Sequence, residues 1–306
     1  MTLSRTTAGL LAVGGAAALW AGAAAVASHL FNRGVVPLEL VQARAVIAAL
    51  GLGLLMLVGR RSQRRRRGDA RPREELSAFA GVITLGLALA LVNLAYYLAI
   101  DRLAVAVAVV LQYSAPALVV SWAAVVSGRK PTRPVLASLV AALTGVILVS
   151  ELLAGELGRL DFFGIAMGLA SAALFATYTL LSEKAEAHYG PVGAMARAFG
   201  TASIFWILVQ LPSGWPSALF EPAHLVPVLF VGVAGTLVPF LLYVWGVARI
   251  RSERASIAAT LEPVLAAVFA WIWLDQSLSP TQLAGGTLVL VAVGSLHAAR
   301  VDSAHA

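Results

Sequence analysis

The sequence predicts an all-α integral membrane protein in which ten transmembrane helices form two inverted five-helix repeats. Three observations lead to this fold class. Hydrophobic residues make up 60% of the 306 residues and charged residues only 12%, whereas soluble domains carry about 25% charged residues. Ten apolar stretches are long enough to cross a bilayer as helices, which takes about 20 residues each. One proline-containing segment occurs twice along the chain.

The ten predicted spans cover most of the chain. They are 8–30, 36–58, 79–100, 103–126, 134–153, 162–181, 192–211, 226–247, 255–274 and 281–298. The first span follows Arg5 and ends in small residues, as a signal peptide does. Its apolar region exceeds the roughly 7–15 residues usual for such signals, and its removal would leave one half short of a span. We therefore expect the first span to stay in the protein.

One segment of the chain repeats and decides the internal organisation. Residues 96–116 read YYLAIDRLAVAVAVVLQYSAP, and residues 243–263 read YVWGVARIRSERASIAATLEP. An offset of 147 residues superposes three pairs: Tyr96 and Tyr243, Arg102 and Arg249, Pro116 and Pro263. Because each half holds an odd number of spans, the second half must be inverted relative to the first. The predicted repeats are 1–153 and 161–300, with a binding site between them.

The positive charges indicate the orientation in the membrane. With the N-terminus in the cytoplasm, 17 Lys and Arg residues lie in cytoplasmic connections and 3 on the other side, as the positive-inside rule favours. Eight arginines fall between residues 60 and 73. We interpret this loop as a topology determinant that touches anionic lipid headgroups, and not as a nucleic-acid site. The sequence thus predicts a multi-pass inner (plasma) membrane protein with both termini in the cytoplasm.

Ionisable side chains inside the spans are the main candidates for function, because a charge at bilayer depth costs about 2.5 kcal/mol or more. Glu262 lies near the middle of the ninth span, where it can carry a proton or bind an ammonium group. Arg44 and Arg197 each stand in an Ala-Arg-Ala tripeptide and can flank the substrate path or bind a carboxylate. Structural roles stay open for all three, as a capping carboxyl or as side chains that snorkel to headgroups.

Two prolines are expected to break helices at matching depths. Pro116 and Pro263 have no amide hydrogen, so the carbonyls of Gln112 and Ala259 lose their helical donors. Paired breaks of this kind indicate the cavity of a transporter. Amide and aromatic groups at mid-span complete the predicted substrate-binding set, with helix packing as the alternative role for each: Trp20, Asn93, Tyr97, Gln112, Tyr113, Tyr178 and Trp245.

Motifs of the common enzyme classes are missing from the sequence. It contains no HExxH, no GxxxxGK[ST] loop and no GxSxG. The five histidines lie at span ends or in the tail, and the chain has no cysteine. We therefore expect no enzymatic activity, no cofactor and no metal site.

Several of these features, taken with the ten-span pattern, resemble a known family. They are Trp20, Arg44, YYLAIDR at 96–102, QYSAP at 112–116 and LEPV at 261–264. The combination resembles the EamA-type branch of the drug/metabolite transporter superfamily over nearly the whole chain. The resemblance implies a secondary transporter that exports small metabolites, amino acids favoured, by alternating access. A proton gradient and the gradient of the substrate itself are both open as driving forces.

Three other functions stay open. Exchange of sugar phosphates or nucleotide-sugars, known in the same superfamily, requires several Lys or Arg in the cavity, whereas only Arg44 and Arg197 lie within spans. An enzyme acting on lipid requires a cluster of His, Asp, Glu or Ser at one depth, whereas Glu262 is the single central carboxyl. A purely structural subunit leaves the matching prolines and the buried glutamate unexplained.

Overall fold

The folded chain is all-helical, as the sequence predicts. The structure, a computed structural model, describes residues 4–31, 33–63, 72–103, 105–153, 161–214, 216–274 and 277–298. Within these ranges there is no β-strand. Most of the arginine-rich loop (64–71) and most of the linker between the predicted repeats (154–160) lie outside the described residues.

Eleven α-helices follow one another along the described ranges. They are α1 (Arg5–Phe31), α2 (Pro37–Gln63), α3 (Pro72–Arg102), α4 (Val105–Gln112), α5 (Ala115–Val125), α6 (Arg133–Val149), α7 (Phe162–Gln210), α8 (Pro222–Gly232), α9 (Val238–Ala259), α10 (Leu261–Leu274) and α11 (Pro280–Ala298). A π-helical segment, Val233–Leu237, joins α8 to α9.

Sharp bends divide two of these helices. In α7 the bend is at Gly190, whose φ of 69° is accessible to a residue without a side chain. In α9 it is at Arg251, whose φ of 70° is unusual for a residue with a Cβ. The first bend separates the predicted spans 162–181 and 192–211, so a tight bend stands where the sequence indicates a loop.

Among the described residues, six helical stretches are long and apolar enough to cross a membrane. They are Arg5–Phe31, Pro37–Val58, Phe79–Tyr96, Val107–Val125, Phe162–Gln210 and Pro222–Ala259. Two shorter apolar helices, Arg133–Val149 and Pro280–Leu296, accompany them. The outer surface is strongly apolar, and Phe162 and Leu50 are 90% and 70% exposed. The protein is therefore a multi-pass membrane protein, while the inverted order of ten spans stays a prediction.

The most extensive helix contacts join helices of the first half of the chain to helices of the second half: α3 packs on α7, α1 on α9, and α6 on α11. Glycines permit close approach in two of these pairs. A Cβ at Gly285 in α11 would lie 2.6 Å from the carbonyl oxygen of Gly145 in α6. A Cβ at Gly246 in α9 would lie 3.0 Å from the carbonyl oxygen of Gly9 in α1. Small residues at such interfaces let backbones touch within lipid, where the hydrophobic effect does not drive helices together.

Candidate functional site: a central cavity

A cavity of about 470 Å³ lies at the centre of the helix bundle, within the range of roughly 300–1,000 Å³ typical of small-molecule sites. Along α1 its lining runs from Trp20 to Phe31, the last residue of that helix. The cavity therefore reaches the end of the bundle at which α1 ends. Its polar and aromatic lining residues are Trp20, Phe31, Arg44, Asn93, Tyr96, Gln112, Tyr113, Phe175, Tyr178, Phe240, Ser256 and Glu262.

Two helix breaks face this cavity. Helix α4 ends at Gln112 and helix α9 ends at Ala259, and both residues line the cavity. The next helices, α5 and α10, begin within three residues and carry Pro116 and Pro263 in their first turns. Because proline has no amide hydrogen, it cannot donate to the carbonyl four residues earlier. The carbonyls of Gln112 and Ala259, which lack these donors, thus belong to residues that line the cavity.

Hydroxyl side chains stabilise both breaks. The hydroxyl of Ser114 donates to the carbonyl of Leu111 at 2.6 Å, and that of Thr260 donates to the carbonyl of Ile257, also at 2.6 Å. Each bond adds a hydroxyl donor to a carbonyl that also accepts an amide hydrogen bond in the last turn of the interrupted helix. The broken geometry is therefore supported locally on both sides of the cavity.

The carboxyl group of Glu262 is a central feature of the cavity wall. The Tyr113 hydroxyl lies beside this carboxyl group, and the Arg44 guanidinium is near enough to interact with it electrostatically. The three side chains come from α10, from the break between α4 and α5, and from α2, and all line the cavity. A ligand that bears both a positive and a negative charge can meet complementary groups here.

The π-helical segment holds Arg44 in place. The Nε of Arg44 donates to the Thr236 hydroxyl oxygen at 2.9 Å, and Nη2 donates to the Gly235 carbonyl at 3.4 Å. The Thr236 hydroxyl in turn donates to the Val231 carbonyl at 2.8 Å. Pro239 has no amide hydrogen for the Gly235 carbonyl, which leaves that oxygen available to the arginine. The π-helical segment thus supplies the two acceptors that orient the guanidinium.

Aromatic side chains form one wall of the cavity. The Trp20 ring contacts Phe240 with centroids 5.1 Å apart and Tyr243 at 5.5 Å. Tyr178 stacks on Tyr243 at 5.7 Å, and the Tyr243 hydroxyl is 2.9 Å from the hydroxyl of Thr179. The buried Nε1 of Trp20 has no hydrogen-bond partner in the part of the chain that the structure describes. This wall is mostly apolar, and the Trp20 indole and the Tyr178 hydroxyl are its polar groups.

The structure brings most of the predicted site residues together. Those that line the cavity are Trp20, Arg44, Asn93, Gln112, Tyr113, Pro116, Tyr178 and Glu262. The sequence interpretation missed Phe31, Tyr96, Phe175, Phe240 and Ser256. Helical spacing is the signal that points to Tyr96, because it lies three residues after Asn93 and hence on the same helix face. The side chain of Tyr97 lies outside the described residues.

Three predicted residues are not among those that line the cavity. The Arg197 guanidinium lies over the Tyr189 ring, 4.3 Å from its centroid, and donates to the Gly193 carbonyl at 2.9 Å. Trp245 lies under the guanidinium of Arg249, 3.1 Å from the ring centroid. Pro263 follows the second break without reaching the cavity. The expected equivalence of Arg44 and Arg197 therefore does not extend to the cavity wall.

The fold and this site together define a class of protein. A multi-pass helical bundle encloses a small-molecule cavity bounded by broken helices, which is the arrangement of secondary transporters. Across the described ranges, no group of three or more His, Asp or Glu side chains is placed to hold a metal ion.

Family comparison agrees with that class. The sequence model of the EamA-like transporter family matches the chain twice, at residues 7–151 and at residues 162–296. The protein belongs to the EamA-like transporter family, a branch of the drug/metabolite transporter superfamily. The resemblance found in the sequence is thereby confirmed.

Individual relatives are also similar over most of the chain. The threonine/homoserine exporter RhtA of Escherichia coli (strain K12) is 29% identical over 219 residues, which cover 71% of this chain and 71% of the exporter. An uncharacterized transporter of Archaeoglobus fulgidus is 29% identical over 202 residues, or 65% of this chain and 69% of its own. A crystal structure with 20% sequence identity superposes with a TM-score of 0.73 over 95% of this chain and 96% of that one.

We predict that Thr236→Val destabilises the protein, because the isosteric valine removes the acceptor for Arg44 Nε and leaves a half-buried donor unsatisfied. The expected cost is about 1–3 kcal/mol, measured as a lower unfolding midpoint in detergent. Thr236→Ser keeps the hydroxyl and serves as the matched control, with a midpoint close to that of the native protein. Equal midpoints for the two variants would contradict the role of Thr236 in holding the arginine.

Proposed function

We propose that the protein is a secondary transporter that exports small metabolites, amino acids in particular, by alternating access. The observation that carries this proposal is the central cavity, which has the size of a small-molecule site and has a carboxyl and a guanidinium group in its wall. Family membership supports transport, and the similarity to threonine/homoserine exporters supports both the direction and the substrate class.

The lining suits a zwitterion. An α-ammonium group can bind the Glu262 carboxyl group, which lies beside the Tyr113 hydroxyl. An α-carboxylate can bind Arg44, whose orientation is set by Thr236. The aromatic wall around Trp20 can receive a small side chain. The ordinary affinity of Arg for carboxylates and of carboxylates for ammonium groups then fixes the substrate at both ends.

The composition of the cavity wall disfavours the sugar-phosphate alternative. Arg44 is the single Lys or Arg among the described lining residues, whereas a phosphorylated substrate calls for several cationic donors. A lipid-acting enzyme and a structural subunit are disfavoured by membership in a transporter family. We expect no enzymatic activity.

The architecture that we propose is ten helices in two inverted five-helix repeats, 1–153 and 161–300. Two observations support it: the family model matches each half once, and the breaks after Gln112 and Ala259 are separated by the 147-residue offset of the sequence repeat. The positive-inside rule favours an orientation with both termini in the cytoplasm, and we propose the inner membrane as the location. In this orientation the cavity reaches the outer side.

Two driving forces fit the site. Glu262 can bind the substrate ammonium group and a proton in turn, so that each substrate exported is exchanged for a proton taken in. If Glu262 only binds the ammonium group, the gradient of the substrate drives the flux. Transport with and without an imposed pH gradient separates the two.

We predict that Glu262→Gln abolishes amino-acid transport, because the amide cannot pair with an ammonium group. The expected loss of initial rate in proteoliposomes loaded with labelled threonine is at least about tenfold, equivalent to about 1.4 kcal/mol. Glu262→Asp should retain part of the rate. Glu221→Gln, which changes a carboxyl group 63% exposed at the protein surface, is the matched control and should transport normally.

Transport unchanged by Glu262→Gln would remove this residue from the mechanism. Flux of a sugar phosphate, with no flux of any of the amino acids, would overturn the substrate proposal. In both cases the variants must elute from size exclusion as the native protein does.

A topology measurement tests the inverted repeat. Tags inserted at Arg64 and at Trp215 occupy equivalent connections of the two repeats, and inversion predicts that they lie on opposite sides of the membrane. A protease or an impermeant reagent added to intact cells should reach the tag at Trp215 and not the tag at Arg64. Tags that report the same side would contradict the architecture.

A further inference from the structure

A cluster of charged side chains outside the cavity joins the two halves of the chain. Arg129 Nη1 lies 2.8 Å from Glu183 Oε1, and Arg129 Nε lies 3.5 Å from Glu253 Oε1. Arg129 precedes α6 and lies within residues 7–151, the first match of the family model. Glu183 in α7 and Glu253 in α9 lie within the second match. The ion pairs therefore cross between the halves.

Two backbone turns with positive φ, at Gly128 and at Arg251, flank the cluster. Arg129 follows Gly128, whose φ of 65° turns the chain after α5, and the Arg129 amide donates to the Ala123 carbonyl at 2.8 Å. On the other side, the bend at Arg251 exposes the next amide, and Ser252 N donates to Glu183 Oε2 at 3.1 Å. Positive φ at a residue other than glycine costs energy and is kept where the surroundings over-determine it.

The side chains of the cluster are largely shielded from solvent. The Glu253 side chain is 12% exposed, and those of Arg129 and Glu183 are 29% and 26% exposed. A charge in such a setting depends on its partner, because removal of one member leaves the other partly buried and uncompensated. The cluster is thus unlike the exposed ion pairs that contribute little.

The cluster lies at the opposite end of the bundle from the one that the cavity reaches. Glu253 is one turn before Ser256, which lines the cavity, and both precede the helix break at Thr260. At this same end α1 and α9 touch, and a Cβ at Gly9 would lie 2.5 Å from Cγ2 of Ile250. The ion cluster therefore lies beyond the floor of the cavity, on the side away from its opening.

We infer that Arg129, Glu183 and Glu253 form an ion-pair lock that keeps the cavity shut toward the cytoplasm and must separate when the cavity opens to that side. This inference rests on the alternating-access function proposed above. The lock holds the halves together through paired charges in a shielded setting, so loss of one charge favours the inward-open state.

Cysteine labelling tests the lock directly, because the native chain contains no cysteine. Gln112→Cys places the reporter at a half-buried position of the cavity wall, away from the ion cluster. Its reaction with an impermeant maleimide is measured in right-side-out and in inside-out membrane vesicles. In the otherwise native chain, labelling from the outer side should dominate. Addition of Arg129→Gln or of Glu183→Gln should raise the ratio of cytoplasmic to outer labelling by at least about threefold.

Two control variants make the result specific. Arg129→Lys keeps the positive charge and should preserve the native ratio, and Lys130→Gln removes the exposed neighbouring charge without effect. An unchanged ratio in both Arg129→Gln and Glu183→Gln would overturn the lock, as would an equal shift in Lys130→Gln. If Arg129→Gln does not yield folded protein, Glu253→Gln takes its place. The ratio does not depend on substrate identity, so failure of amino-acid transport would overturn the substrate proposal alone.

Discussion

Backbone groups inside a bilayer must find hydrogen-bond partners, and this constraint organises the protein around its cavity. The helix ends at Gln112 and Ala259 interrupt two membrane helices, and Pro116 and Pro263 prevent the missing bonds from forming again. Interrupted helices are tolerated where they are buried in protein or line a polar hollow. Both breaks meet this condition, because both helix ends line the same cavity. The aromatic and polar side chains line the rest of this cavity, which the interrupted helices require.

The two ends of the bundle differ, and one stretch of chain connects them. The segment after the bend at Arg251 contains Glu253 in the ion cluster, and the helix after the break at Thr260 contains Glu262 in the cavity. Thr260 thus separates the carboxyl group in the cavity wall from the carboxyl group in the ion cluster.

The sequence predicted the helical class, the family and eight of the residues that line the cavity. Polar residues in apolar spans are costly, so Arg44 and Glu262 could be identified without coordinates. Whether Arg197 lines the cavity could not be predicted, because the rotation of a helix about its axis depends on its packing. The Tyr189 ring, which the Arg197 guanidinium contacts, lies beside the bend at Gly190. The lock was missed for a related reason: Arg129 stands at a span end, where a positive charge is already explained by topology.

The central claim is that Arg44 and Glu262 bind the two ends of one zwitterion. Calorimetric titration of the purified protein with threonine, 1-amino-2-propanol and 3-hydroxybutyrate tests this directly, since each analogue lacks one charged end. We expect threonine to bind at least about tenfold more tightly than either analogue, an advantage of about 1.4 kcal/mol. Arg44→Gln should abolish the preference over 1-amino-2-propanol alone, and Glu262→Gln the preference over 3-hydroxybutyrate alone. Equal affinities for all three compounds in the native protein would contradict the account.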